Sequence, residues 1–507
     1  MKQLRSLIIL FLGGINFSYA QITSDAIRFA DTYSISTARS VGTGNALDAL
    51  GADFSTLSIN PAGLALYRSS EVTLSPIVDF NSTQTTFAEE LTRDSRTSIA
   101  LANLGLVFAH RADQEGLKYI NIGLGVNRIA SFNQDYRLSG ITDGSRVVAF
   151  AEQAQGVTPN NLNPFESQLA YDTYLIDNDA TEDSYIGCLT DDDFTRKVQT
   201  VRESGGITEL SMAVGVNYQN KLYAGLSLGV NFLRYRSTIS YEEQDEAERT
   251  DFQELLFTEN RRVLGTGANA KFGLIYRINH SLMASLSVQS PTLYGAKETY
   301  STTMRGVIYY DNELQDNSFD SPQGSYPHRL TTPWRASLGF GAILGKKGGN
   351  KFAYIGLAGD YINYRLTSFD LKPLDTVGNT AANRAYIQDL NNNVYDLLQP
   401  AFRVRFGGGF VLQKVFQIRY GYQFQSSPYQ NSIVGLSDLR HQISLGFGLR
   451  TRNFFLGLAY MNTIKEFESI PYTTESNVHP QQAAVKSSGG HLLMTIGVRF
   501  GGEANMQ

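Results

Sequence analysis

Apolar and polar residues alternate with a period of two in the C-terminal third of the chain, and this pattern constrains the fold more than any other feature. In KVFQIRYGYQFQ, residues 414–425, aromatic and aliphatic side chains alternate with glutamine, arginine and glycine. Successive side chains of a β-strand point to opposite faces, so the segment predicts a strand with one apolar and one polar face. The same alternation recurs at residues 334–344, 402–412, 439–450 and 491–500.

These segments have the length of strands that cross a membrane. Each is about 10 residues long, which suits a tilted strand in a bilayer. About fourteen such segments lie between Glu71 and Phe500, and an even number of strands suits a bacterial barrel. The sequence therefore predicts an all-β fold, a transmembrane antiparallel β-barrel of about 14 strands. A soluble β-sandwich is the alternative, but it would bury its aromatic face against a second sheet.

The connections between the segments alternate in length. The short ones are Asn217–Lys221, Arg277–Ser281, Leu344–Lys351, Leu412–Lys414 and Thr451–Asn453. The long ones are Ser131–Gly205, Tyr241–Leu264, Tyr300–Thr331 and Thr367–Gln399. In bacterial barrels the short turns face the periplasm and the long loops face outward. The pattern predicts a multi-pass protein of the bacterial cell outer membrane with both termini in the periplasm.

The N-terminus has the features of a secretory signal peptide. Lys2 and Arg5 precede the apolar run LIILFLGG and the small-residue ending SYA at residues 18–20, so we expect cleavage after Ala20. The rest of the chain has no run of about 18 apolar residues, which argues against a helical membrane protein. The single cysteine, Cys188, excludes an internal disulfide, and a net charge of -5 gives no reason to expect nucleic acid binding.

Residues 21–69 show no sustained period and are rich in glycine, alanine and serine. A barrel of about fourteen strands has an interior too wide for its wall side chains to fill. We therefore predict a plug over residues 21–69, a barrel over residues 70–500 and a tail over residues 501–507. The alternative is a disordered periplasmic tail, which would expose Leu47, Leu50 and Phe54.

Several of these stretches resemble a known family. STLSINPAGLAL, residues 55–66, resembles the hatch motif of the FadL/TodX outer-membrane transporters of hydrophobic compounds. Residues 271–294, 331–341 and 419–429 are similar to the branch of that family found in the Bacteroidetes phylum. The resemblance implies a 14-stranded barrel plugged by an N-terminal hatch, with a lateral wall opening associated with the third strand. It assigns the hatch motif to Asn60, Pro61, Ala62 and Gly63.

The motif also makes a conformational prediction. Pro61 fixes its own φ angle and is expected to set a turn, while Gly63 is expected to adopt a backbone conformation that other residues resist. Together they would direct the plug into the lumen at a set angle.

Six arginines fall on the polar faces of the predicted strands. If the apolar faces contact lipid, the lumen contains Arg335, Arg403, Arg405, Arg419, Arg440 and Arg499. An arginine inside a protein needs a partner, and its planar fork matches a carboxylate. These residues are candidates either for ion pairs with acids such as Asp48 and Asp53 or for ligand binding, and both roles can hold at different residues.

The long segment from Ser131 to Gly205 contains an apolar run that we predict to capture ligand at the outer surface. Its candidate residues are Phe165, Leu169, Tyr171, Tyr174, Leu175 and Ile176. Signals of enzyme chemistry are weak, because Ser227 of GLSLG lies in an alternating run and not in the strand-to-helix turn of a nucleophile. The histidines show no paired ligand spacing. We therefore predict no enzyme activity, no cofactor and no metal.

The resemblance and the residues together predict passive outer-membrane transport of long-chain fatty acids or other hydrophobic small molecules. A general diffusion porin and a FadL-type adaptor of a protein-secretion machine are the alternatives. The expected partners are the hydrophobic small molecule, outer-membrane lipid and lipopolysaccharide, with no nucleic acid, and the protein is expected to be a monomer.

Overall fold

The structure is a computed structural model that describes residues 24–112, 114–179, 181–246, 251–311, 313–345, 351–371, 381–430, 439–475 and 481–501. The predicted signal peptide, the predicted tail after Gly501 and the middle of the predicted turn Leu344–Lys351 lie outside these residues.

The described residues form mainly β-strands. In chain order these are β1 Ser70–Phe87, β2 Glu90–Arg111, β3 Leu117–Ser131, β4 Gln134–Thr142, β5 Ile176–Asn178, β6 Tyr185–Gly187, β7 Thr195–Tyr218, β8 Leu222–Asp245, β9 Phe252–Arg277, β10 Leu282–Gln289, β11 Leu293–Tyr310, β12 Glu313–Asp320, β13 Gly324–Thr331, β14 Arg335–Leu344, β15 Lys351–Asn363, β16 Ser368–Leu371, β17 Pro400–Leu412, β18 Phe416–Gln425, β19 Arg440–Arg450, β20 Phe454–Ser469 and β21 Ala483–Phe500.

The helices form no part of the barrel wall, and all of them except Ala381–Leu397 are short. Residues 24–30 are helical. The other α-helices are Ala38–Gly42, Thr56–Ile59, Arg146–Ala154, Ser167–Asp172 and Ala381–Leu397, and the 3-10 helices are Pro61–Leu66, Pro159–Asn161 and Tyr364–Leu366. Among the described residues we find no helix with the length and apolar character of a membrane span.

Fourteen of the described strands close into one antiparallel ring. Going round the ring, the order is β1, β2, β3, β7, β8, β9, β10, β14, β15, β17, β18, β19, β20 and β21. The last strand pairs with the first, from Ser70 opposite Phe500 to Thr86 opposite Ala484, so the ring has no free edge. The predicted fold class, a β-barrel of about 14 strands, is confirmed.

The two faces of the wall differ in polarity as the alternation predicts. Outward side chains are apolar and exposed, as for Leu445 at 62% and Phe340 at 59% exposure. Inward side chains are polar and buried, as for Gln423 and Ser444. An apolar outer surface on a ring whose backbone groups are paired is the arrangement that spans a lipid bilayer.

The connections at the two ends of the ring differ in length, as predicted. Within the described residues, the short turns after β7, β9, β17 and β19 leave only three or four residues between strands. Two of the predicted long loops were wrong, because Tyr241–Leu264 is largely strand in β8 and β9, and Tyr300–Thr331 contains most of β11, all of β12 and β13. The alternation continues there because the inward side chains of the extended strands pack on a core formed by the long connections.

Candidate functional site

Residues 24–67, here the N-terminal segment, lie inside the ring. The segment is buried along most of its length. Its backbone and side chains approach inward-facing glycines on most strands of the ring. Ten of these glycines, one on each of ten strands and here the glycine belt, are Gly105, Gly123, Gly215, Gly225, Gly273, Gly339, Gly356, Gly407, Gly421 and Gly446.

The glycine belt permits an approach that other residues would block. A Cβ atom at Gly225 would overlap the backbone of Pro61, and one at Gly356 would overlap the carbonyl oxygen of Ala46. At Gly446 the added atom would lie 3.1 Å from Cα of Gly42. The wall and the segment are therefore packed backbone against backbone. The repeated glycines on the polar faces of the strands are the sequence signal for this contact.

Substitution in the glycine belt should displace the N-terminal segment and leave the wall intact. We expect Gly225→Val to make the segment sensitive to protease, because the new side chain overlaps backbone that cannot rotate away. Gly359→Val is the matched control, since no atom lies within 4 Å of a Cβ at that outward position. Limited proteolysis with mass spectrometry measures the effect. Equal protection of the segment in both variants would contradict the close packing.

The motif Asn60–Gly63 lies at the contact with β8 and β9. The Asn60 side chain is fully buried, its Oδ1 accepts a hydrogen bond from the Ala62 amide at 3.1 Å, and its Nδ2 donates to the Asp48 carbonyl at 3.0 Å. Pro61 begins the 3-10 helix Pro61–Leu66. Asn60 thus caps this helix and joins it to the preceding part of the segment.

The predicted unusual conformation of Gly63 was wrong. Gly63 is absent from the residues with positive φ and lies within the 3-10 helix. Close approach is the physical reason for glycine here, because a Cβ atom would lie 2.7 Å from Cγ2 of Thr56.

Three of the six candidate arginines join the wall to the N-terminal segment through ion pairs. Arg405 donates to both carboxylate oxygens of Asp48, at 2.9 and 3.0 Å. Arg403 pairs with Asp31 at 2.6 Å, and Arg440 also contacts Asp31. Burial alone would raise the pKa of Asp31, but Arg440 and Arg403 outweigh it and hold that pKa below its usual range.

The other three candidates have different partners. Arg335 donates to the Thr32 hydroxyl at 3.2 Å, Arg499 pairs with Glu71 of β1 at 2.8 Å, and Arg419 donates to Gln417 at 2.7 Å. Asp48 is an ion-pair partner as the sequence suggested. Asp53 instead accepts hydrogen bonds from the hydroxyls of Thr37 and Ser55, at 2.7 and 2.6 Å.

The first described residues lie nearer the long connections than the short turns. Phe29 forms an aromatic cluster with Phe132 and Tyr235, at centroid distances of 5.8 and 5.7 Å. Asp25 contacts Arg261, which is 236 residues away in the chain. These long-range contacts hold residues 24–30 in the half of the lumen nearer the long connections, and the periplasmic location of the termini stays a prediction.

The wall has an incomplete seam between β2 and the chain that follows it. Strand β2 pairs with β3 only from Asn103 opposite Asn127 to Arg111 opposite Tyr119. Strand β3 then bulges between Arg128 and Ala130, and β4 pairs with β7. Within the described residues, residues 90–102 of β2 have no backbone ladder on this side, and we call this boundary with residues 128–142 the wall seam.

Side chains bridge the wall seam in place of a ladder. Asn133 donates to Ser98 at 2.7 Å, and Arg96 pairs with Asp135 at 2.7 Å. A hydrogen bond between side chains typically contributes about 0.5–1.5 kcal/mol, and a partly exposed ion pair contributes still less. The seam consequently lacks the backbone hydrogen bonds that join the strands along the complete ladders of the ring.

The N-terminal segment is bonded directly to the wall seam. The Tyr33 amide donates to the Ile129 carbonyl at 2.8 Å, and the Ile35 amide donates to the Arg128 carbonyl at 2.9 Å. These carbonyls flank the bulge in β3. A shift of the N-terminal segment would therefore change the hydrogen bonds of β3 at the point where its ladder with β2 ends.

The predicted capture residues do not form an exposed apolar surface. Phe165, Leu169, Leu175 and Ile176 are between 0% and 5% exposed. They pack in or beside the core that joins the long connections. Tyr171 is half-buried, and Tyr174 is 39% exposed. The apolar side chains of this predicted capture run form a core between the loops, because their burial is more favourable than their exposure to water.

We expect the stability of the long connections to depend on pH through Glu166, which lies beside this core. Burial raises the pKa of this carboxyl from 4.5 to about 7, with Arg146 opposing the shift and Glu259 adding to it. The folded state holds the proton more tightly than the unfolded state. The stabilisation is therefore complete below pH 4.5, falls as the pH rises to about 7 and is constant above that pH.

We expect amides of residues 146–172 to be better protected at pH 5 than at pH 8, by on the order of 2 kcal/mol. Hydrogen exchange corrected for intrinsic rates measures this difference. Glu166→Gln should flatten the dependence. If that variant kept the full dependence, another group would be responsible.

Comparisons with known proteins agree with this architecture. A scan against models of protein families and a search of curated proteins find no match. Among solved structures, the chain is similar to a FadL homologue of Pseudomonas aeruginosa with 10% identity and a TM-score of 0.56, over 93% of this chain and 100% of that chain.

Two toluene transporters also match. TodX of P. putida has 11% identity and a TM-score of 0.48, over 94% of this chain and 100% of that chain. TbuX of Ralstonia pickettii has 10% identity and a TM-score of 0.46, over 93% and 99%. On the strength of the P. aeruginosa structure, the chain has the fold of a FadL homologue, and the resemblance predicted from its motifs is confirmed at the level of the fold.

Proposed function

We propose that this protein is a FadL-type transporter that carries hydrophobic small molecules passively across the outer membrane, with the N-terminal segment as its hatch. The observation that carries the proposal is the bonding of the N-terminal segment to the wall seam, through the amides of Tyr33 and Ile35. A segment that fills the lumen and also contacts the wall seam can couple ligand binding to opening. Membership of the Bacteroidetes branch stays a prediction from the motifs.

Long-chain fatty acids are the proposed cargo class, together with other apolar molecules of similar size. Burying an alkyl chain contributes about 0.8 kcal/mol per methylene, so a long chain held in a dry site would leave slowly. A passive transporter must then change conformation to release it. We propose that the hatch shifts, that the β3 bulge follows, and that the ligand leaves laterally through the wall seam.

The general diffusion porin is the weaker alternative. A porin of this strand number needs a water-filled lumen. Here the glycine belt brings the wall into contact with the N-terminal segment on ten strands. The fit between wall and segment therefore favours a selective route over an open one.

Mass spectrometry of protein extracted in mild detergent tests the cargo class. We expect an apolar molecule to be retained in near-stoichiometric amount by the parent protein and lost from Gly225→Val. Gly359→Val should retain it. If the parent protein retains no apolar molecule and also binds none of the fatty acids and aromatic hydrocarbons added to it, the proposal is contradicted.

A further inference from the structure

A second site lies near the short turns, away from the wall seam. It is a cavity of about 160 Å³ between the N-terminal segment and the wall. Four arginines line it, Arg39, Arg419, Arg450 and Arg499, and the carboxylates in its lining are Asp53 and Glu71. Cations therefore outnumber carboxylates in this lining by two.

Pairing within the lining does not remove the excess positive charge. Arg499 and Glu71 form an ion pair at 2.8 Å. Asp53 remains as the acid facing Arg39, Arg419 and Arg450, and its Oδ1 already accepts hydrogen bonds from Thr37 and Ser55. Arg419 is buried in a lining with more arginines than carboxylates, which is unfavourable, so the lining favours a bound anion.

Two buried polar groups point to the same conclusion. In the described residues, neither the Nε of Arg419, a side chain that is 5% exposed, nor the hydroxyl of Tyr354, which is 6% exposed, has a hydrogen bond of good geometry. Both residues line the cavity. The Arg419 guanidinium and the Tyr354 hydroxyl are partners for each other, electrostatically and as a side-chain hydrogen-bond pair, but their geometry falls short of a well-formed hydrogen bond. Each group is thus only partly satisfied by the other, and both face the cavity, where an anion could complete their hydrogen bonding.

The rest of the lining is apolar. It consists mainly of Leu50, Ile343, Phe352, Val411, Leu449, Phe455 and Leu456. A cavity of about 150 Å³ is large enough for benzene. The site thus has room for a charged group and a few carbons of an attached chain.

We propose that this cavity binds the carboxylate end of an apolar acid, with Arg419, Arg450 and Tyr354 holding the carboxylate and the aliphatic side chains holding its first carbons. This proposal rests on the proposed transport function. It adds to that function a site selective for acids at the end of the lumen near the short turns. Arg450 is exposed at the opening of the cavity and is the group that an entering or leaving anion would meet. The planar guanidinium matches the two oxygens of a carboxylate.

Binding of hexanoate and hexanol to purified protein in nonionic detergent tests the site. Both probes are short enough to fit and differ only in the charged group. We expect saturable binding of hexanoate but not hexanol by ligand-observed NMR. Arg450→Gln should weaken hexanoate binding by at least about tenfold. Lys414→Gln is the control, because Lys414 is exposed at the same end of the ring but does not line the cavity.

Uptake of a neutral aromatic compound by liposomes containing the protein is measured in parallel. Hexanoate binding without any uptake would overturn the transport function and leave the site standing. Uptake without hexanoate binding would overturn the site and leave the transport function standing. Equal losses in Arg450→Gln and Lys414→Gln would show a general charge effect, which also overturns the site.

Discussion

Deleting residues 24–57 should turn a tightly closed barrel into a leaky one. Conductance and entry of small polar solutes should rise at least about tenfold, because a lumen bounded by fourteen strands is too wide for wall side chains to close. Uptake of apolar molecules should fall at the same time, because water then fills the route and the contacts of Tyr33 and Ile35 with β3 are gone. Planar-bilayer recordings and uptake by liposomes measure the two fluxes.

The wall itself should survive the deletion. Its ladder closes from β21 to β1 without help from the N-terminal segment, and Arg403 and Arg405 would be hydrated once Asp31 and Asp48 are removed. Heat-modifiable migration on a gel checks that the barrel is folded. A folded barrel with both fluxes unchanged would show that the segment does not gate transport.

Joining the two sides of the wall seam should stop apolar transport. We propose the pair Ser98→Cys and Asn133→Cys in a Cys188→Ser background, because the native side chains are hydrogen-bonded at 2.7 Å. Oxidation should lower apolar uptake by at least about tenfold, and reduction should restore it, since opening would have to break a covalent bond instead of one hydrogen bond. Uptake is measured on the same liposomes before and after reduction.

A matched pair separates the seam from a general effect of cross-linking. Gln442 and Thr463 are direct neighbours across the complete β19–β20 ladder, with a side-chain hydrogen bond of 2.8 Å. The pair Gln442→Cys and Thr463→Cys should leave uptake unchanged in both redox states. Parent-like uptake through the oxidised Ser98–Asn133 pair would mean that apolar molecules leave by another route.

The strands were predictable because their signal is local. Alternation such as Tyr422 outward and Gln423 inward needs only neighbouring residues, and it fixes the face that meets lipid. The approximate strand number followed from repeating this count. The extension of β8 and β9 was not predicted because their polar residues beyond the membrane resemble those of a loop. The extended strands pack on a core that includes Phe150 and Leu175, and these residues come from elsewhere in the chain.

The interior was harder to predict, because its contacts join residues far apart in sequence. The sequence suggested that Asp48 could neutralise a lumen arginine, but nothing local selected Arg405, which is 357 residues away. The position of residues 24–30 likewise depends on the distant contact between Asp25 and Arg261. The repeated inward glycines are a readable signal, and Gly421 and Gly446 mark where another backbone approaches the wall.

Simultaneous measurement of apolar uptake and ionic conductance on one liposome preparation tests the central claim most directly. The parent protein should accelerate entry of a fatty acid or an aromatic hydrocarbon while its conductance stays near that of protein-free membranes. The same preparation with the oxidised Ser98→Cys and Asn133→Cys pair should lose the apolar flux alone. A parent protein that conducts ions like an open barrel, or that does not accelerate apolar entry, would contradict a hatch-gated route for hydrophobic molecules.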